Sequence, residues 1–150
     1  MNNILFIEVN RAKADDVSLF MNENYPEINF EIKESFTSGL RELFKNRYDL
    51  LFLDMSIPTR EGDANSLINN FEQLGGYQIL SEMKRKKKQI PTILITMFNE
   101  FGVNSSFFNL NEIDELCMTE FSDFYLGAVY YTSRDATWKE KLKNFIENNK

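Results

Sequence analysis

The stretch Asp49 to Pro58, DLLFLDMSIP, decides how this chain folds. The apolar run Leu50 to Leu53 is closed by Asp54, and Pro58 follows the acid four residues later. A short continuous apolar run reads as a strand buried on both faces, as in a parallel sheet covered by helices. The signature returns at Ile4 to Val9 (ILFIEV), which carries Glu8, and at Thr92 to Thr96 (TILIT), behind Pro91. Asn29 to Lys33 (NFEIK) alternates instead, with Phe30 and Ile32 on one face as in an edge strand. Ala128 to Thr132 (AVYYT) is a fifth candidate strand.

Helical spacing separates these strands. Ala14, Val17, Phe20 and Met21 share one face, as do Leu40, Leu43 and Phe44, with Ser35 or Thr37 placed to cap the second helix. Ile79, Leu80 and Met83 mark a third helix, and Leu110, Ile113, Leu116 and Cys117 a fourth. Asn109 and Glu112 have the spacing of a capping box at the start of the fourth. Trp138, Leu142, Phe145 and Ile146 mark the last helix. Strands and helices alternating in this way predict a parallel sheet with helices on both faces. Residues 63 to 76 and 97 to 109 break the rhythm as long connections, which in a compact domain are more often functional than idle.

Composition narrows the function. The 150 residues, 43% apolar and 27% charged, suit one globular domain over 1–150. No run is long enough to span a bilayer and no N-terminal signal pattern is present, so a cytoplasmic protein without membrane contact is expected. A single cysteine, Cys117, excludes an internal disulfide, and with no histidine a structural zinc site is not expected. The net charge of −6 argues against nucleic-acid binding. The basic run Lys84 to Lys88 reads as the solvated end of a helix, with a nucleic-acid or acidic-partner patch as the other reading.

Ligands of open parallel α/β sheets bind at the carboxyl ends of the strands. Here those ends carry Glu8, Asp54 and Thr96, two carboxylates and a hydroxyl on one edge. Such carboxylates suit a hard cation such as Mg²⁺, and a carboxylate beside a cation can attack phosphorus to give an aspartyl phosphate. Taken singly, each acid reads as a solvated strand cap.

These residues resemble the receiver domain of two-component response regulators over essentially the whole chain. Glu8-Val9-Asn10 is similar to the acidic pair that closes the first strand of that family. Asp54-Met55-Ser56-Ile57-Pro58 matches the acceptor Asp with its following Pro, and Glu61-Gly62 stands where Asp-Gly is usual. Thr96 matches the switch hydroxyl, and Gly127 to Arg134 (GAVYYTSR) resembles the GAxxYLxKP segment. The departures are Val9 in place of the second acid, Arg134 in place of the phosphate-pairing Lys, and Asp135 in place of the Pro after it.

The resemblance implies a flavodoxin-like, doubly wound, five-stranded parallel sheet of order 2-1-3-4-5 in an α/β/α sandwich. It implies Asp54 as phosphoacceptor, with Mg²⁺ held weakly by Glu8, Asp54 and the Ser56 backbone carbonyl. Thr96, Arg134 and Tyr131 would bind the phosphoryl group or switch with it, Tyr131 having simple packing as its other reading. The 63–76 segment is similar to an insertion that some receivers carry after the third strand, and both long connections should overhang the acceptor. The implied function is phosphorelay by a stand-alone receiver, not an enzyme beyond hydrolysis of its own acyl phosphate. Its partners would be a histidine kinase or phosphotransfer protein and an output protein, with a homodimer left open. The alternative is a pseudo-receiver that works by protein contact alone, because Val9 cannot ligate a metal.

Smaller signals have plainer readings. Phe98, Phe101, Phe107 and Phe108 are expected as satellites of the core, with a partner-binding patch as the alternative. Cys117 reads as a small core hydrophobe. Glu61 and Asp63 read as solvated loop acids, with replacement of the missing ligand as the other possibility.

Overall fold

The computed structural model of the chain describes residues 1 to 59, 74 to 103 and 106 to 150, with the side chains of 101 to 107 outside that description. β1 (Asn3–Ile7), β2 (Asn29–Lys33), β3 (Leu50–Leu53), β4 (Thr92–Thr96) and β7 (Tyr125–Tyr130) form one parallel sheet in the order β2-β1-β3-β4-β7. β5 (Glu100–Val103) and β6 (Ser106–Asn109) pair antiparallel in a separate hairpin. The helices are α1 (Arg11–Asn24), α2 (Phe36–Lys45), α3 (Gly75–Arg85), α4 (Leu110–Glu120) and α5 (Thr137–Asn148). The spatial order is the expected doubly wound one. The strand expected fifth in the chain is seventh, because the hairpin stands before it.

The continuous apolar runs explain the layering. Successive side chains of a strand point to opposite faces. Leu5, Ile7, Leu51, Leu53, Leu94 and Ala128 therefore meet one helical layer, with Leu43 of α2, Ile79, Leu80 and Met83 of α3, and Ile113 and Cys117 of α4. Ile4, Phe6, Leu50, Phe52, Ile93, Ile95 and Val129 face the other, against Val17, Phe20 and Met21 of α1 and Trp138, Leu142 and Ile146 of α5. Cys117 is fully buried, as a core hydrophobe should be.

Local chemistry sets the helix ends. Asn10 caps α1, its side chain accepting from the Lys13 N–H, and Ser35 caps α2 by accepting from Ser38. The capping box of Asn109 and Glu112 opens α4 as its spacing predicts. The basic run closes α3 and is engaged locally: Lys84 donates to the Glu120 carbonyl, Lys88 to the Asn46 carbonyl, and the Lys86 ammonium stands 4.9 Å from the Phe44 ring centre.

Two expectations need correction. Residues 97 to 109 are not an irregular loop, for they contain β5 and β6, consistent with the Phe and Val residues that flank Asn104-Ser105 in the sequence. The last sheet strand runs Tyr125–Tyr130, not 128 to 132. An irregularity of register lies between the Thr92–Tyr125 and Ile93–Gly127 pairs, leaving Leu126 as an extra residue. Gly127 follows it with φ +150°, and a β-carbon there would lie 2.6 Å from the Phe145 ring. The glycine serves the strand and its packing on α5. Among the described residues no helix is long and apolar enough to cross a membrane.

Candidate functional site

Strand register brings two carboxylates together. Ile7 pairs with Leu53 across β1 and β3, so the next residues, Glu8 and Asp54, emerge side by side at the carboxyl edge. The Asp54 N–H donates to the Ile7 carbonyl at 3.3 Å and the Glu8 N–H to the Lys33 carbonyl at 2.9 Å, holding both just past the strand ends. Only 1% of Glu8 and 3% of Asp54 is exposed. An unpaired carboxylate buried this deeply would be costly.

The partner is Lys13, which reading the sequence missed. Its side chain leaves the first turn of α1 and is fully buried. The ammonium lies 2.6 Å from Glu8 Oε1 and 3.4 Å from Asp54 Oδ1, and it donates to the Ile95 carbonyl at 2.6 Å. Glu8 Oε1 and Asp54 Oδ1 thus meet Lys13 as ion pairs. Asn10 locks the arrangement, for its side chain accepts from the Lys13 N–H at 2.9 Å while its own N–H donates to Glu8 Oε2 at 3.0 Å. Burial pushes the Glu8 carboxyl above its ordinary value; Lys13 opposes this and Asp54 reinforces it. A signal existed: Lys13 shares the apolar face of α1 with Val17, Phe20 and Met21, and a lysine there needs a buried partner.

An open cleft of about 560 Å³ lies over this edge, lined by residues that include Glu8, Val9, Asp54, Ser56, Pro58, Met97, Phe98 and Glu100. Gly75 and Gly76, at the start of α3, press on the turn after Asp54 and donate to the Ile57 and Met55 carbonyls, each at 3.0 Å. Phe98 is exposed at the cleft, whereas Phe108 packs against the core; the Phe101 and Phe107 side chains lie outside the described part of the chain. Glu61, Gly62 and Asp63, and with them most of the 63–76 segment, also lie outside the described residues.

The other expected residues divide. Thr96 is buried at the same edge, its hydroxyl accepting from the Phe98 N–H at 3.1 Å, and it does not line the cleft. Tyr131 is already turned inward, packed on Trp138, with its hydroxyl donating to the Asp16 carboxylate of α1. Burial, with the Asp16 contact, pushes its phenol up to about 12. Arg134, expected to bind the phosphoryl group, is not brought to the cleft. It is exposed beyond the end of β7, its N–H bonded to the Thr132 hydroxyl, and it does not line the cleft. β7 ends at Tyr130, so the chain has already left the sheet edge before Arg134.

Mg²⁺ prefers several oxygen ligands in near-octahedral geometry. Here an ammonium already stands between Glu8 and Asp54, and the Val9 side chain offers no oxygen. Among the described residues no group of three His, Cys, Asp or Glu could hold a metal ion. The described residues therefore do not fit the expected Mg²⁺.

A scan of protein-family models finds no match. The chain is 25% identical over 141 residues to the uncharacterised protein y4jR of Sinorhizobium fredii, covering 93% of each. It is 26% identical over 143 residues to the Detocs response regulatory protein DtcB of Enterobacter cloacae, covering 93% of this chain and 94% of that one. Among solved structures, it is similar to the response regulator TrrA of Thermotoga maritima, in complex with Mg²⁺ and BeF, at TM-score 0.60, 18% identity and full coverage of both chains. The chain has the receiver-domain fold of response regulators.

Proposed function

We propose that this chain is a receiver domain of two-component signalling, in which Asp54 accepts a phosphoryl group from a histidine kinase or phosphotransfer protein. The observation that carries the reading is the Asp54 carboxyl, set at the carboxyl end of a central strand, lining an open cleft, beside a buried cation. A phosphorylated histidine entering this cleft would lose its P–N bond as the Asp54 O–P bond forms, the freed imidazole nitrogen keeping the electron pair. The fold and the similarity to a response regulatory protein support the same assignment. On this reading the chain is a phosphoacceptor acting as one cytoplasmic domain through contact with an output protein. Water hydrolysing the acyl phosphate ends the signal, and no catalytic turnover of another substrate is involved.

A second reading, the pseudo-receiver, is favoured by one observation: the Lys13 ammonium already contacts both carboxylates, so a cation is built into the site without phosphate. Incubation with acetyl phosphate followed by intact-mass measurement separates the two. A gain of one phosphoryl group, lost in Asp54→Asn, is the expected result. No gain under any donor condition overturns the phosphoacceptor reading in favour of the scaffold.

A further inference from the structure

Lys13 is fully buried against the Glu8 and Asp54 carboxylates. A buried lysine is rare unless paired, and this one faces three oxygens from three strands' ends: Glu8 after β1, Asp54 after β3, and the Ile95 carbonyl in β4. An ammonium has three N–H donors, so its capacity matches that set. Val9, which lines the cleft beside Glu8, is 40% exposed and adds no charge. The acid expected there is missing, while a cation is built into the helix that follows.

We propose that the Lys13 ammonium is the resident cation of this site, standing where a divalent ion would stand and offsetting the phosphoryl charge on Asp54, so that phosphorylation needs no metal. The second half rests on the phosphoacceptor reading; the first does not. With acetyl phosphate as donor, the Asp54 O–P bond forms as the acetate–phosphate O–P bond breaks. Acetate leaves with the electron pair, and no proton is required. The contact to Asp54 Oδ1, at 3.4 Å, is the longest of the three that Lys13 makes. It is therefore the one that transfers to a phosphoryl oxygen while the Glu8 and Ile95 contacts hold. A tethered ammonium also cannot dissociate, so the site keeps a cation whatever the divalent-ion concentration.

The test has two independent arms on the full chain. Thermal midpoints are measured against Mg²⁺ for the wild type and for Lys13→Met. The expected result is no shift in the wild type and an upward shift in Lys13→Met, whose bare carboxylates now attract the metal. An upward, saturating shift in the wild type overturns the inference, and this holds even if Lys13→Met does not fold. In the other arm, acetyl phosphate labelling is compared in EDTA and in Mg²⁺. Equal labelling of the wild type is expected, and labelling that vanishes in EDTA but appears in Mg²⁺ overturns metal independence while leaving Asp54 the acceptor. A wild type unlabelled in both conditions overturns the phosphoacceptor reading, and the thermal arm then decides the resident-cation inference by itself.

Discussion

A β-carbon on Gly76 would lie 2.6 Å from the carbonyl oxygen of Asp54, so the first turn of α3 rests directly on the Asp54 backbone. The Cα of Met55 would be equally close, at 2.6 Å, and backbone atoms cannot swing aside as a side chain does. Gly76→Ala should therefore displace the turn after Asp54 and destabilise the protein by about 1–3 kcal/mol. It should also slow labelling of Asp54 by acetyl phosphate. Gly127→Ala is the comparison, because its obstacle is the Phe145 ring on the α5 side of the sheet. That variant should melt earlier and label normally once folded. Equal labelling rates for both variants would show that α3 does not position Asp54.

Tyr131 and Asp16 tie the end of β7 to α1. Tyr131→Phe keeps the ring against Trp138 and removes only the hydroxyl, and the exposed Asp16 carboxylate can rehydrate. The loss should be small, about 1 kcal/mol, read as a lowered denaturation midpoint. A loss several times larger would mean that the hydroxyl organises more than this one contact.

Alkaline pH should destabilise the fold through groups held protonated inside it. Burial pushes the Cys117 thiol up to about 12 from an ordinary 9.0, and burial likewise raises the Tyr25, Tyr48, Tyr125 and Tyr131 phenols. Their folded-state values lie above the unfolded ones. The stability they contribute is complete below the unfolded values and is lost as pH rises through the range up to the folded ones. Denaturation midpoints measured at rising pH should fall above the ordinary thiol value. Phenolate absorbance of the buried Tyr25, Tyr125 and Tyr131 should appear together with unfolding; early, independent ionisation would contradict their burial.

Phosphorylation should be felt in α1. Lys13 reaches Asp54 from the first helical turn, and Met97, Phe98 and Glu100 line the same cleft. Amide exchange should change at residues 10 to 14 and 97 to 100 on labelling with acetyl phosphate, more than in the middle of α5. If only the first group changes, Thr96 and the chain after it are not part of the response.

Restoring the absent acid should reveal what Lys13 prevents. Val9→Asp adds a carboxylate at the cleft wall while the ammonium stays in place. Val9→Asp combined with Lys13→Met should therefore bind Mg²⁺ more tightly than Val9→Asp alone, by isothermal titration. Equal affinities would locate the metal away from Lys13.

The sheet was legible in the sequence because its cause is local. ILFIEV, DLLFLD and TILIT are apolar on both sides, and only strands covered on both faces can bury such runs. From this follow the parallel order, and with it Glu8, Asp54 and Thr96 at one edge, since each ends its strand. The Asn109 cap was legible for the same reason, its partner lying within one helical turn, and of Ser35 and Thr37 the structure selects Ser35.

Other features were settled only in three dimensions. GAVYYTSR matched a family segment by spacing, yet β7 begins at Tyr125 because its pairing with β4 and its packing on α5 fix the register. Arg134 thereby lies outside the cleft. The charge of Lys13 was visible, but its role was not. Whether a lysine is solvated or locked between two carboxylates depends on where α1 crosses the ends of β1, β3 and β4. That crossing is set by the packing of Val17, Phe20 and Met21 on the sheet, a long-range relation that no local pattern of residues contains.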